Sequence, residues 1–322
     1  MKERREESTE AMFIVSPSPH IHCGDSIRKV MWSVVIALIP AGVAGVIFFG
    51  IHALEIILIS VITALVSEFL IQEIRRKRIS VLDGSAVITG ILLAYNLPPT
   101  VPLWLPAVGT FVAIVLGKQI FGGLGNNIFN PALVGRAFLM ASWPKLMTSF
   151  SSPFHPVDAL SSATPLAVIK GIEGTGNVHF SYRELFLGNC SGCLGETSAL
   201  ALLIGVSLLF FRKYISWHIP FTYILTVGLL TWIFGRNGLF SGDFLYNILA
   251  GGLMLGALFM ATDPVTSPLS NKGKIIFGLG CGCITALIRL KGGYPEGVSY
   301  SILLMNAFTP LIDKFTLKKK RK

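Results

Sequence analysis

In VDALSSATPLA, residues 157–167, a carboxylate, Asp158, stands six residues ahead of a hydroxyl, Thr164, and the small side chains of Ser161, Ser162 and Ala163 fill the approach. Thr164 before Pro165 reads first as a helix N-cap with proline in the first helical position. That reading leaves Asp158 and the run of small residues unexplained. A hydroxyl that must enter another protein's active site needs slim neighbours and an accessible loop, and this stretch supplies both. Asn127 and Asn130 lie three apart ahead of Pro131, a spacing that puts both amides on one helical face. Asn130 is also a candidate N-cap. Arg136, inside an apolar run, is costly in lipid unless it meets a carboxylate or lines a polar cavity, and Glu68 and Asp263 are candidate partners between which the sequence does not choose. Asp263, Asn96 and Glu296 sit where prolines break apolar runs, as cation-holding groups do in transporters with discontinuous helices. The alternative for all three is plain helix termination and capping. Cys190 and Cys193 form C-S-G-C, and Cys281 and Cys283 form C-G-C. Cluster binding normally needs four converging thiolates, so these cysteines are read as small buried residues and no metal site is assigned. No phosphate-binding loop, dinucleotide glycine fingerprint or HExxH occurs.

Sites this sparse must be held by apolar scaffolding. Of 322 residues 52% are apolar and 14% charged, and the mean hydropathy is +0.67. A soluble domain carries roughly 25% charge, so this is an integral membrane protein. At about 20 residues per span there is room for about ten helices and no separate soluble domain of ordinary size. The net charge of +10 would suit nucleic acid, but the basic residues cluster beside apolar runs, which fits the positive-inside rule and a lipid bilayer instead. Five cysteines, an odd number, do not make a disulfide framework.

Apolar runs fall at 31–50, 52–71, 83–97, 103–118, 127–143, 197–211, 219–235, 244–261, 273–289 and 297–312. Starting inside, the alternation puts every Lys and Arg on the cytoplasmic side except Arg136, Lys145, Lys170, Arg183, Arg236, Arg289 and Lys291. Both termini are then cytoplasmic and the polar interval lies outside. The charged start reads as a tail and not as a cleaved signal peptide. ITGILLAYNLPP resembles LMLGALFMATDPVTSP, with Asn96 over Asp263, and NPALVGRAFLM (130–140) aligns without gaps on PEGVSYSILLM (295–305). Two halves of an odd number of spans enter from opposite sides, an inverted repeat. The expected fold is an all-α integral membrane protein of about ten transmembrane helices in two inverted five-helix repeats with broken helices. Its expected parts are a cytoplasmic tail (1–30), a first membrane repeat (31–143), an extracytoplasmic loop (144–196), a second repeat (197–312) and a basic cytoplasmic tail (313–322).

The pattern D-x-x-S-[GS]-A-T looks like the acceptor signature for covalent flavinylation, in which a flavin transferase moves the FMN half of FAD onto a threonine hydroxyl. The helix start beyond Thr164 would offer free N–H groups to the phosphate. Together with NNIFNPALVGRAFL (126–139), GNCSGCLGETSALALLIG (188–205), ATDPVTSPLSNKGKIIFG (261–278) and GGYPEGVSYSILLMN (292–306), it makes the chain resemble the RnfD/NqrB family. This comprises RnfD, a membrane component of the Rnf complex, and NqrB, its homologue in the sodium-translocating NADH:quinone reductase. The compact outer loop and short tails are closer to the Rnf protein. The resemblance implies a membrane flavoprotein of a bacterial or archaeal cytoplasmic membrane, part of a complex that couples ferredoxin:NAD+ electron transfer to Na+ or H+ movement. It implies FMN on Thr164 by a phosphoester, riboflavin as a second, noncovalent flavin, and electron exchange with an outer-face flavoprotein subunit. Asn127 and Asn130 are candidates to hydrogen-bond the second flavin. Thr164 is then an anchor and not a catalyst, and NAD+ and ferredoxin dock on other subunits. The chain has Ser162 where the family commonly has glycine. The rival readings are a secondary transporter or channel with inverted repeats and no flavin, and a structural subunit that has lost its cofactor.

Overall fold

Ser26 accepts a hydrogen bond from Lys29 N (3.2 Å) and starts helix α1 (Ile27–Phe49). Gly50, at φ +77°, a backbone setting that glycine adopts readily, joins it to α2 (Ile51–Ile74). Helix α3 (Ser85–Tyr95) stops at Asn96, two residues short of Pro98-Pro99. α4 (Trp104–Ile114) runs on through a π turn, Val115–Gln119, and α5 (Pro131–Ser142) follows. Among the described residues, three short helices occupy the polar interval: α6 (Pro144–Met147), α7 (Pro165–Lys170) and α8 (Tyr182–Leu187). Then come α9 (Ala199–Phe211), α10 (His218–Ile233), α11 (Phe244–Leu249), α12 (Leu253–Leu255) with a π turn, Gly256–Met260, α13 (Asn271–Lys291) and α14 (Val298–Thr316). This computed structural model describes residues 26–76, 79–154, 163–171, 180–235 and 238–317. Asp158, Ser161, Ser162 and Cys23 lie outside that set.

Helix falls on every apolar run expected to hold one, but not over its whole length. The run 127–143 becomes helical only at Pro131, and 244–261 is broken at Ala250–Gly252. Among the described residues, α1, α2 and α13 are long and apolar enough to cross a membrane, and α3, α4 with its π turn, α5, α9 and α10 are shorter apolar helices.

The burial pattern is the reverse of a soluble protein's. Ile36, Ile39, Val43 and Ile47 of α1 and Leu58, Ile62 and Val66 of α2 face outward, whereas Ser60, Glu68, Lys118 and Thr285 are buried. Lipid can cover that exterior, and polar groups that cannot reach water must pair inside. The chain is a multi-pass membrane protein. Its helix ends form two groups. Arg212 Nη1 donates to Ser33 Oγ (2.8 Å) and Ser270 Oγ to Thr316 Oγ1 (2.6 Å) at one end, which holds both the start of α1 and the end of α14. At the other, Phe154 N donates to Phe48 O (2.8 Å) and Thr100 Oγ1 to Ser149 O (2.8 Å), so the polar interval docks opposite the chain's two described extremes.

Candidate functional site

The break after α3 leaves backbone carbonyls without helical partners inside the molecule, where each must find a donor. They find it in the loop between α8 and α9: Gly195 N donates to Tyr95 O (3.0 Å) and Leu194 N to Leu97 O (3.1 Å). The Tyr95 ring lies so close to Gly195 that any β-carbon there would run into it. This docking carries Cys193 and Glu196 to the interior, where Glu196 Oε1 accepts from Cys193 N (3.2 Å).

Facing them is Arg136 of α5, 4% exposed. Its guanidinium donates to Asn96 Oδ1 at the end of α3 and forms an ion pair with Glu296, from the turn before α14. Cys193 Sγ is 4.0 Å from the same guanidinium. Glu296 Oε1 also accepts from Gly252 N (2.8 Å) in the break between α11 and α12. A methyl group added to Gly252 would collide with both Glu196 Oε2 and Glu296 Oε1, so the two carboxyl groups share the space beside one α-carbon. Burial pushes the Glu196 carboxyl up to about 8, reinforced by the Glu296 charge. Burial raises Glu296 too, but Arg136, the hydrogen bonds from Glu196 and Gly252 N, and the Arg289 charge together outweigh it and hold it below the usual carboxylate range. Burial likewise pushes the Cys190 thiol up to about 12 and raises that of Cys193, so both stay protonated.

These groups floor a cavity of about 850 Å³ whose walls include Met140, Phe150, Tyr294 and Tyr300, with Thr164 on its lining. Thr164 caps α7, its Oγ1 accepting from Ala167 N (3.3 Å), as the Thr-Pro pair predicts. Lys170, at the far end of α7, donates to Ile288 O (3.3 Å), Gly292 O and Tyr294 O (2.7 Å), the carbonyls around the end of α13. Ala163 sits beside Thr164, half-buried.

A second cavity, of about 820 Å³, holds Asn127, Asn130, Asp263 and Lys118 on its lining. Asn130 caps α5 (Ala132 N to Oδ1, 3.1 Å) and donates to Met260 O (3.2 Å). Asn127 Nδ2 reaches Phe129 O (3.2 Å), while its Oδ1, in a residue 6% exposed, has no partner. Asp263 closes its own turn, accepting from Val265 N (3.3 Å) and Thr266 Oγ1 (3.1 Å). On the edge of this cavity Lys118, turned inward by the π turn after α4, grips both oxygens of Glu68 (2.8 and 2.7 Å) and Ser85 Oγ (2.6 Å).

Three expectations therefore change. Arg136 is paired with Glu296, not with Glu68 or Asp263, because Glu68 already holds Lys118 and Asp263 lies in the other cavity. Asn127 and Asn130 share a cavity but not a helical face, since the chain is not helical before Pro131. Cys190, Cys193 and Cys281 are buried, but Cys283 is exposed, since two residues along a helix is more than half a turn around it. The expected cation-passage residues divide: Asn96 and Glu296 meet on Arg136, whereas Asp263 is apart. Sequence reasoning missed Glu196, whose one signal is a lone acid ahead of an almost charge-free run.

A family model described as the NQR2, RnfD, RnfE family matches residues 14–322. The D component of a proton-translocating ferredoxin:NAD(+) oxidoreductase complex from Clostridium ljungdahlii is 53% identical over 313 residues, covering 95% of each chain. The D component of the Na(+)-translocating complex of Acetobacterium woodii is 50% identical over 311 residues, 95% of this chain and 94% of that one. The D component of an ion-translocating oxidoreductase complex from Salmonella newport is 36% identical over 343 residues, 95% and 97% of the two chains.

Proposed function

The chain belongs to the NQR2, RnfD, RnfE family, and from that premise we propose that it is the membrane flavoprotein subunit of an ion-translocating ferredoxin:NAD+ oxidoreductase, with FMN ester-linked to Thr164. The relatives' names support the complex and its coupling of electron flow to Na+ or H+ movement. The observation that carries the flavin is Thr164 itself, a half-buried hydroxyl within an acceptor-like motif, lining a cavity of about 850 Å³. Pockets with apolar and aromatic walls and a few converging polar groups suit a flat ring system. The residues fit: Met140, Phe150, Tyr294 and Tyr300 offer apolar and aromatic surface, and Arg136 offers positive charge. When bound, the flavin supplies one- and two-electron redox chemistry. Thr164 tethers it, Lys170 fixes the helix that bears the tether, and Arg136 sets the charge of the floor.

The second cavity suits a noncovalent riboflavin through the orphaned Asn127 Oδ1, an acceptor with no partner of its own. Asn130, which caps α5 and bonds Met260 O, shapes that site. The ten helix-bearing runs form two inverted five-helix repeats, a reading supported by the helix ends at Asn96 and just before Asp263 and by the sequence correspondences. The basic residues grouped at the end shared by α1 and α14 support a cytoplasmic location for both termini and an outer location for Thr164, where a flavin transferase and an outer-face flavoprotein subunit reach it. Arg136, Asp263 and Glu296 are the residues to test for coupling to the ion.

A denatured band from cells with the transferase should fluoresce under ultraviolet light, because a phosphoester survives detergent. Thr164→Val should abolish the fluorescence while the chain still inserts, and intact mass should fall by one FMN moiety. A fluorescent Thr164→Val band, or a wild-type chain of unmodified mass, overturns the assignment.

A further inference from the structure

We infer that Glu196 and Glu296 hold a single exchangeable proton between their carboxyl groups at the floor of the cavity lined by Thr164. Glu196 is 7% exposed and its Oε2 meets no N–H or O–H donor. What it meets is the other carboxyl group, across Gly252. Two carboxylates held together out of water repel, and the contact becomes a hydrogen bond only when one of them carries the proton. The groups that face the pair agree. From α5, Arg136 supplies one permanent positive charge and is matched to Glu296. From α13, Arg289 spends its guanidinium on Asn247 O (2.5 Å) and Ala250 O (3.2 Å), at the broken end of α11. From the loop itself, Cys190 and Cys193 are neutral thiols. Tyr294 and Tyr300, on the cavity wall, complete the surroundings. Arg136 thus pairs with Glu296, Arg289 reaches the two carboxyl groups through its field but bonds neither, and Glu196 Oε2 is left with no donor but a proton.

Release breaks the carboxyl O–H bond, hands the proton to water in the cavity and leaves both groups charged; uptake is the reverse, and no electron moves. The site needs no flavin, so it stands or falls separately from the assignment of Thr164. It gives the cavity a proton store within the protein, on the same lining as the tether.

Infrared spectra of the full chain in its purified complex, in nanodiscs and choline chloride buffer, test this as wild type minus Glu196→Gln. The difference should contain the carbonyl stretch of a protonated carboxylic acid at pH 7, shifted in heavy water and lost with a midpoint of about 8. Glu296→Gln should also remove it, because Arg136 then serves Glu196 and lets it ionise. A glutamate protonated merely by burial would keep its band in that variant, which overturns the shared proton. So does a wild-type pH 7 minus pH 10 difference spectrum with no such band, a readout that needs neither variant to assemble. If sodium chloride in place of choline chloride erases the band at constant pH, the occupant is a sodium ion and the proposal fails.

Discussion

The cost of a buried charge falls on whichever group loses its partner, and that makes Arg136 the residue to remove. Arg136→Met leaves two buried carboxyl groups facing each other without their ion-pair partner, and breaking a buried ion pair from one side costs about 3–5 kcal/mol. Thermal unfolding of the purified complex should show that loss, and adding Glu296→Gln should recover most of it. If the double variant is no more stable than Arg136→Met, the two residues do not act as a pair. Sequence reasoning could see that Arg136 needed a partner, since an arginine in an apolar run demands one. It could not see which, because the acid it holds lies 160 residues away and only the folded chain brings them together. Glu196 escaped for a related reason: beside Thr197 and Ser198 it looks like part of a polar turn opening α9, and nothing local says that the turn is buried.

Among the elements, α7 is too short to hold itself in place; six residues make less than two turns, and isolated helices of that length do not persist in water. Its position rests on Lys170 and the carbonyls at the end of α13. Lys170→Met should therefore cost about 1–3 kcal/mol locally, read as faster amide hydrogen exchange in α7 with unchanged exchange in α1 and α2. Equal exchange in the two proteins would mean that Leu166, packed beneath, suffices. The sequence did announce the start of this helix, since a Thr-Pro pair specifies cap and first position, and it announced the Asn-Pro start of α5 equally well. It did not announce the π turns. Hydropathy places Lys118 at the end of a span, where a lysine is expected to reach water, whereas one extra residue in the turn rotates it inward onto Glu68. Such a turn shifts no residue's hydropathy, so a pattern of apolar runs is blind to it.

For the whole molecule, the separation of the two ends carries a direct expectation. In a chain stripped of its native cysteines, Lys145→Cys should react with an impermeant maleimide from outside intact cells, and Lys213→Cys only after permeabilisation, since both are exposed at opposite ends. Labelling of both from one side would contradict the arrangement. All ten apolar runs carry helix, which the sequence made plain because lipid demands long apolar segments. Their lengths were less plain, because breaks such as the one after Tyr95 depend on donors supplied from elsewhere. That dependence has a consequence for biogenesis. The carbonyls of Tyr95 and Leu97 wait for amides that the ribosome delivers about a hundred residues later. A nascent chain whose first five helices have left the translocon still lacks those amides, so the earlier half stays immature until the later loop threads back into it.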